Sequence, residues 1–378
     1  MRTRSRGLVC SGAMALVACA SEGTVEPSSS PGDPAVAVDI EAVPADSPQL
    51  VHVSVLATEG DSRRGVCVTD RGGRVHCSYA HEDWTWREVP ALDGSNGVYI
   101  RWIGEICAVS QARDLECSTL RNPERRQHIT SDVGRTYGQI GIHCALSPTR
   151  ALTCWGRDDV MHHVLGLPIR WFFGGAPSDT DGNALPTVIA RSVDGVAVTS
   201  HHVCILSGGR LTCEGANHYG QTTDAEPGAD GARIIALDGV TAVSASGLVT
   251  CAIARGEVFC WGEIGPTDSV RECVYDLASP RAEQRVAVPT RVVSASSRSP
   301  YVALAAGRAL SCVATADHEL WCWAMRDPEG TMRRVGTSIA EFDVAGTSYC
   351  FLNTEGTLVC DGETLAPPIN ETGRAPSR

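Results

Sequence analysis

From Cys251 to Gly262 the chain reads CAIARGEVFCWG. A mostly apolar run, Cys251–Ala254, is followed by Arg255-Gly256 and a returning run, Glu257–Cys260. Two short strand-forming runs across a two-residue turn predict a β-hairpin, and Gly at the second turn position supplies the positive φ of a primed turn. Counting outward from the turn, Ala254 faces Glu257, Ile253 faces Val258 and Cys251 faces Cys260. The cysteines then occupy a non-hydrogen-bonded position, where Cα atoms come closest. That closeness is compatible with a disulfide.

The same word recurs. Its cysteine pairs are Cys67/Cys77, Cys107/Cys117, Cys144/Cys154, Cys204/Cys213, Cys251/Cys260, Cys312/Cys322 and Cys350/Cys360. Two pairs enclose eight residues and five enclose nine, so the hairpin loop has two or three residues and the cysteine register survives. First-cysteine intervals are 40, 37, 60, 47, 61 and 38 residues. A period near 40 with several short strands per unit is the signature of a propeller or array. Apolar segments rich in small residues precede the hairpins: Val196–Thr199, Val243–Gly247, Leu304–Gly307 and Asp343–Gly346. They read as inner strands converging on a central axis, with a more variable outer strand or loop after each hairpin. Ahead of all the repeats, Ala35–Val43 (AVAVDIEAV) alternates apolar and polar and reads as a strand. We expect Val36–Val43 to help close a ring by adding a strand to the blade built on Cys350/Cys360.

The N-terminus reads as a targeting segment. MRTRSR is basic, Gly7–Ala18 is a short apolar run, and Leu16-Val-Ala-Cys19 resembles the lipobox of bacterial lipoproteins. In that family the Cys becomes the first mature residue and carries the lipid, so Cys19 is the expected lipidation site. The alternative is an ordinary secretory signal. Residues 1–18 are then the signal peptide and residues 19–34, ASEGTVEPSSSPGDP after Cys19, a flexible tether. The propeller is expected over residues 35–367 and a disordered tail over 368–378. Export places the cysteines in an oxidising compartment, where seven disulfides persist. Cys273 is left over as a free thiol or an intermolecular bridge. Zinc in the hairpins is the alternative to disulfides; facing-strand spacing and export argue against it.

Composition narrows the function. The formal charge is −12, and all 32 basic residues are Arg. With no Lys there is no phosphate-loop Lys, Schiff-base Lys or Ser–Lys dyad. An acidic chain lacks the basic face that nucleic-acid binding needs, so nucleic acid is not an expected partner.

The pattern Cys–hairpin–Cys-Trp-Gly followed by Asn and Gly-Gln resembles the repeat of the regulator-of-chromosome-condensation propeller family, in its bacterial, cysteine-bearing form. It stands most clearly in Cys144–Gly156 (CALSPTRALTCWG), in Cys251–Gly262 and in Gly215–Gln221 (GANHYGQ). The resemblance covers about Leu50–Gly362 and implies an all-β, seven-bladed β-propeller. Cys77 and Cys117 are followed by Ser-Tyr and Ser-Thr, Cys213 by Glu-Gly, Cys322 by Trp-Ala and Cys360 by Asp-Gly, which departs from the pattern. Eukaryotic members catalyse guanine-nucleotide exchange on a small GTPase; an envelope location separates this chain from both, so that activity is not carried over. A secreted bacterial class of relatives inhibits β-lactamases by covering the active site with one propeller face.

Candidate chemistry is thin. Trp155, Trp261 and Trp323 recur at one repeat position and read as inter-blade or edge packing. Two intervals each carry about 20 extra residues over a 40-residue unit, and inserted loops on a rigid scaffold are common binding sites. Within the first, Trp171-Phe172-Phe173 is a candidate partner-binding patch, as are Trp84 and Trp86; the alternative for both is packing on a neighbouring blade. His162-His163 and His201-His202 are adjacent pairs that a strand would point to opposite faces. His143 and His202 precede hairpin cysteines and read as structural. Asp179-Thr-Asp181-Gly-Asn183 lacks the further oxygen ligands of a calcium loop. No catalytic residue, metal site or cofactor is expected. The reading is a non-catalytic, monomeric cell-envelope lipoprotein, lipid-anchored at the outer membrane, whose propeller binds a protein or surface glycan. The alternative is an inhibitor of an extracellular or periplasmic enzyme; the third is a hydrolase with a channel site.

Overall fold

The computed structural model describes residues 29–31, 36–37, 50–58, 64–80, 86–102, 105–119, 122–139, 142–157, 183–199, 201–215, 217, 219–222, 233–264, 285–292, 299–307, 309–325 and 332–365. These form seven antiparallel sheets, one per cysteine pair, arranged as the blades of a propeller. The inner strands are Leu50–Thr58, Ser95–Trp102, Arg135–Gln139, Gly195–Val198, Val240–Ser246, Tyr301–Ala306 and Ile339–Ala345. The small-residue segments therefore do line the axis.

All seven disulfides form between directly opposed residues of the second and third strands, with Cα–Cα distances of 3.9–4.1 Å. They join Cys67 to Cys77, Cys107 to Cys117, Cys144 to Cys154, Cys204 to Cys213, Cys251 to Cys260, Cys312 to Cys322 and Cys350 to Cys360. In the Cys251 hairpin, Arg255 (φ 54°) and Gly256 (φ 76°) make the primed turn, and Ala254 pairs with Glu257. The first two blades carry the same stapled hairpin as the rest, and the second has the most register shifts, two at its inner strand and two at its outer strand.

The Cys144–Cys154 pairing stands as expected, and the sheet continues past it. Cys154 faces Cys144 on one side as expected, but on the other it faces Thr187 of the outer strand Asn183–Ala190. Register shifts fall on both sides of it, between Leu152 and Thr153 and between Cys154 and Gly156. The physical reason for the second lies in Pro186. With Cys154 opposite Thr187 and Gly156 opposite Ala184, two residues, Leu185 and Pro186, stand against Trp155 alone. Proline has no N–H to give the ladder, and a bulge lets the strand continue past it. The bridge is therefore central to a four-stranded sheet, and Cys154 is buried in the cluster that meets the fourth blade.

Seven buried clusters fill the seven interfaces between successive blades, and each blade's disulfide lies on the face that meets the next blade. Trp155 shares a cluster with Cys107 and Cys117, Trp261 with Cys204 and Cys213, and Trp323 with Cys251 and Cys260. The Trp after the second cysteine thus packs toward the preceding blade's disulfide. The Gly after it is required in the fifth blade: Gly262 has φ +108°, and a Cβ there would meet the Leu248 carbonyl oxygen at 2.1 Å.

The turns also join the blades. The carbonyl of a left-handed turn residue accepts an N–H at the start of the next inner strand: Gly73 from Gly94, Arg113 from Val133, Arg150 from Val193, Gly256 from Tyr301 and His318 from Ile339. Arg113, Arg150 and His318 have φ of 60–67°, where Gly73 and Gly356 stand in other blades. The strain of a non-glycine residue there, about 1–2 kcal/mol, is offset by a bond that aligns the next blade.

Both long insertions fall between the third and outer strands, in the third blade (158–182) and the fifth (265–284), and lie outside the described residues. The outer strands they lead into, Asn183–Ala190 and Arg285–Arg291, carry Pro186 and Pro289, which protect a sheet edge from further pairing.

All four main strands of the seventh blade come from the C-terminal stretch, ending at Glu363–Leu365. Two N-terminal pieces add fifth strands on the channel side: Ser29–Pro31 on Leu50–Thr58, and Val36–Ala37 on Ile339–Ala345 with Val36 opposite Phe342. Residues 38–43 lie outside the described residues. The seam between the seventh and first blades is crossed by side chains. Val53 N–H donates to Glu341 Oε2 (3.0 Å) and Val55 N–H to Asp343 Oδ2 (2.7 Å), across 288 residues of sequence.

Trp261 is fully buried, so Trp261→Ala is expected to cost about 3–5 kcal/mol in denaturant unfolding. Arg210→Ala, at the exposed start of the strand Arg210–Gly215, is expected to stay within about 0.5 kcal/mol. Equal losses would contradict the packing role.

Candidate binding site at the channel mouth

Each inner strand begins with two residues opposed to one. β-bulges place Val51, Asn96, Thr241, Val302 and Ala340 out of register in five blades. In the third and fourth, Gly134 N–H and Asp194 N–H donate to the Leu146 and Leu206 carbonyls, which already face Arg135 and Gly195. Bulges re-aim side chains, and here they form a rim on the face that carries the hairpin turns. Directly below it, His52, Gly97, Arg135, Gly195, Ala242, Ala303 and Glu341 share one register: each faces the residue two past its blade's first cysteine. All seven line a cavity of about 640 Å³ at the channel mouth, together with Arg113, Asp194 and Thr241.

Six of these seven either have no side chain beyond Cβ or belong to one compact pair. His52 Nδ1 lies 2.6 Å from Glu341 Oε1, and its Nε2 meets the Val98 carbonyl at 2.7 Å, so His52 ties the seventh, first and second blades together. Burial works to lower the His52 pKa, but the Glu341 charge and hydrogen bond, the Val98 carbonyl and Asp343 outweigh it and raise it above 6.5. Asp343 is fully buried; burial pushes its carboxyl well above the usual range, although Val55 and Val344 both donate N–H groups to it. Asp343 occupies the repeat position opposite the first cysteine, as Ser244 does in the fifth blade, where Ser244 Oγ accepts Ala306 N–H at 3.0 Å. One device caps the next inner strand at both joins, once with a carboxylate and once with a hydroxyl. Arg135 is exposed, and its guanidinium donates to the half-buried Tyr137 hydroxyl.

Away from the turn-bearing face, polar side chains pack between neighbouring blades. His202 Nε2 lies 2.7 Å from Thr250 Oγ1, which donates to the Gln221 carbonyl; Trp261 Nε1 donates to the same oxygen. With Thr250 donating onward, His202 donates Nε2–H to it, and Thr199 Oγ1 lies 3.0 Å from its Nδ1. Burial, aided by His201, lowers its pKa to about 3. Tyr99 and His143 share a hydrogen bond of 2.6 Å, for which Gly138 leaves room: a Cβ there would meet the Tyr99 hydroxyl at 2.5 Å. The Asn and Gly-Gln of the repeat word also fold back on the backbone, Asn217 Oδ1 accepting Thr222 N–H.

Of the residues singled out from sequence, Trp86 is half-buried against the cluster between the seventh and first blades. It is not brought together with the channel mouth. The bridge cysteines, Cys144 and Cys154 among them, are buried between blades and do not line the mouth either. Cys19, Trp84, Trp171, Phe172, Phe173, His162, His163, Asp179 and Cys273 lie outside the described residues. Among the described residues no three His, Cys, Asp or Glu side chains are grouped to hold a metal ion. Arg135, Glu341 and Asp343 escaped the sequence reading as site residues. For Glu341 and Asp343 the signal was a pair of acids inside an otherwise apolar strand, IAEFDVA; Arg135, at the head of RTYGQ, carried no such signal.

No family model matches the chain, and no curated protein matches it by sequence. Solved structures do. Prp20p of Saccharomyces cerevisiae, the yeast RCC1 protein, superposes with a TM-score of 0.50 at 13% identity, over 78% of this chain and 81% of its own. Human WBSCR16 gives 0.52 at 13% identity, over 81% and 86%. The fold is shared. The chain is a seven-bladed β-propeller similar to RCC1-type propellers.

Two outcomes test this geometry. Asp343→Ala strands two buried N–H groups and is expected to cost about 2–4 kcal/mol, more than Ser244→Ala, which strands one at about 1–2. Denaturation curves of both variants decide it. For His202, the unfolded imidazole titrates near 6.5 and the folded one near 3, so stability falls as pH drops below 6.5. Between pH 7 and 5 its share is about 2 kcal/mol. His202→Gln is expected to flatten that loss in urea titrations at the two pH values; an unchanged loss would contradict a buried neutral His202.

Proposed function

We propose that the chain is a non-catalytic binding scaffold, tethered by a lipidated Cys19 in the cell envelope, that engages a protein partner on the face bearing the hairpin turns. The observation that carries this reading is the rim: seven bulged inner strands and their hairpin turns present exposed Arg113, Arg135, Asp194, Thr241 and Val302 around an open channel mouth. Disulfides and inter-blade clusters hold that rim rigid, so a partner meets a pre-formed surface with little ordering cost. Prp20p is described as binding Gsp1p and histones, a use of the same fold as a protein platform. The tether after Cys19, rich in Ser, Pro, Gly and acid, suits a domain held off a membrane surface.

Two measurements test the reading. Intact mass of the protein from its native membrane fraction is expected to give an acylated N-terminal Cys19, with two hydrogens gained per disulfide for seven disulfides on reduction. Retention of residues 1–18 would remove the envelope argument. A photo-crosslinking residue at Gln111 or Arg255 is expected to trap one discrete partner in intact cells, and the same residue at Val288 on an outer strand is not. Trapping at Val288 alone would move the binding surface to the outer edge.

A further inference from the structure

The seven positions at the level below the rim are unevenly furnished. Glu341 is matched by His52. Arg135 has no carboxylate partner among the described residues, and the same register position on either side of it is a glycine, Gly97 in the second blade and Gly195 in the fourth. Arg135 is exposed, and it donates to the Tyr137 hydroxyl two residues along the same strand. Arg113 lines the same mouth from the adjoining turn; its contact with Asp132 is 3.9 Å, and both side chains are more than half exposed, which makes it weak. Past this level the lining is mixed, with Val98, Val196, Val243 and Leu304 beside Thr136 and Tyr137.

The channel also accepts extended main chain. Ser29–Pro31 and Val36–Ala37 pair antiparallel with the inner strands of the first and seventh blades. In the second to sixth blades the inner strand is the edge of its sheet among the described residues. A main chain laid along such an edge gains backbone hydrogen bonds, and side-chain pockets give specificity.

We propose that the channel mouth receives an extended acidic segment of a partner protein, laid along the inner strand Arg135–Gln139 with a carboxylate seated on the Arg135 guanidinium and Arg113 adding charge at the rim. An Arg–carboxylate pair is a strong, charge-assisted contact, and its flanking glycines leave room for both oxygens. The proposal rests on the scaffold reading and names the chemistry that the scaffold recognises.

The test uses fluorescein-labelled decapeptides of alternating Thr and Val carrying one central Glu or one central Gln. Fluorescence anisotropy follows their binding to the folded chain and to Arg135→Gln and Arg113→Gln. Intact disulfides and an unchanged unfolding midpoint verify that the variants fold. The Glu peptide is expected to bind at least about tenfold tighter than the Gln peptide, and Arg135→Gln to remove that difference. Arg113→Gln is expected to weaken the Glu peptide less and to reduce its salt sensitivity. Equal affinity for the two peptides, no change in Arg135→Gln, or no binding up to about 1 mM would overturn the proposal. So would free glutarate competing as well as the peptide, because the main chain would then contribute nothing. The crosslinking experiment separates the two readings. Trapping at Gln111 that survives Arg135→Gln would leave the scaffold standing without this site, whereas no trapping in the parent chain would remove the scaffold itself.

Discussion

Everything in this ring depends on closing the seam between the seventh and first blades. Successive blades elsewhere are joined by short connections, and their turns reach across to the next inner strand. At the seam the partners are 288 residues apart. Closing that loop costs roughly 2 kcal/mol more entropy than closing a 40-residue one. Part of this cost is met by Val36–Ala37, which precedes the first blade in sequence and pairs with Ile339–Ala345 of the last. Glu341 and Asp343 add side-chain ties to that pairing, accepting the N–H groups that Val53 and Val55 would otherwise turn toward the channel. The apolar cluster of Leu50, Val53, Val55, Leu352 and Leu358 excludes water from behind them. His52 then extends the tie to the second blade.

This choice has an electrostatic consequence. The seam groups take up protons more readily in the fold: His52 and Asp343 both have raised values, so their contribution strengthens as pH falls through those raised values. His202, at the join of the fourth and fifth blades, behaves oppositely, because its buried neutral form is lost to the unfolded state in acid. Acid therefore loosens the ring at an ordinary join, and rising pH loosens it at the seam. A ring that must stay rigid to present a rim is balanced between two local weaknesses. The disulfides do not remove either, since each staples a hairpin within one blade.

Much of this was legible beforehand, because cysteines mark register. Seven pairs at hairpin spacing fix seven second and third strands, and small-residue runs such as Leu304–Gly307 locate the inner ones. The pairing of Cys144 with Cys154 was readable in that way, but the bulges on either side of Cys154 were not, because the outer strand that imposes them returns only after the long insertion. The Trp after the second cysteine was readable as packing, but its target was not: that it faces the preceding disulfide depends on blade order in space. Arg113 and Arg150 look like ordinary surface charge in sequence, and only their left-handed φ ties their carbonyls to the next blade. Asp343 stood in plain sight within Asp343-Val-Ala-Gly346, the one acid in those small-residue segments. Its role needed the register that makes it equivalent to Ser244. Arg135 was hidden for a related reason, since nothing near it in sequence is glycine at the relevant level; Gly97 and Gly195 belong to neighbouring blades.

Native-state hydrogen exchange at single-residue resolution tests the central claim most directly. If Glu341 and Asp343 hold the seam, the Val53 and Val55 amides exchange only through global unfolding, as slowly as the ladder amides beside the Cys251–Cys260 bridge. Exchange of those two amides orders of magnitude faster, with the Cys251–Cys260 ladder still protected, would contradict it: the ring would open at the seam without unfolding, and another contact would have to hold it closed.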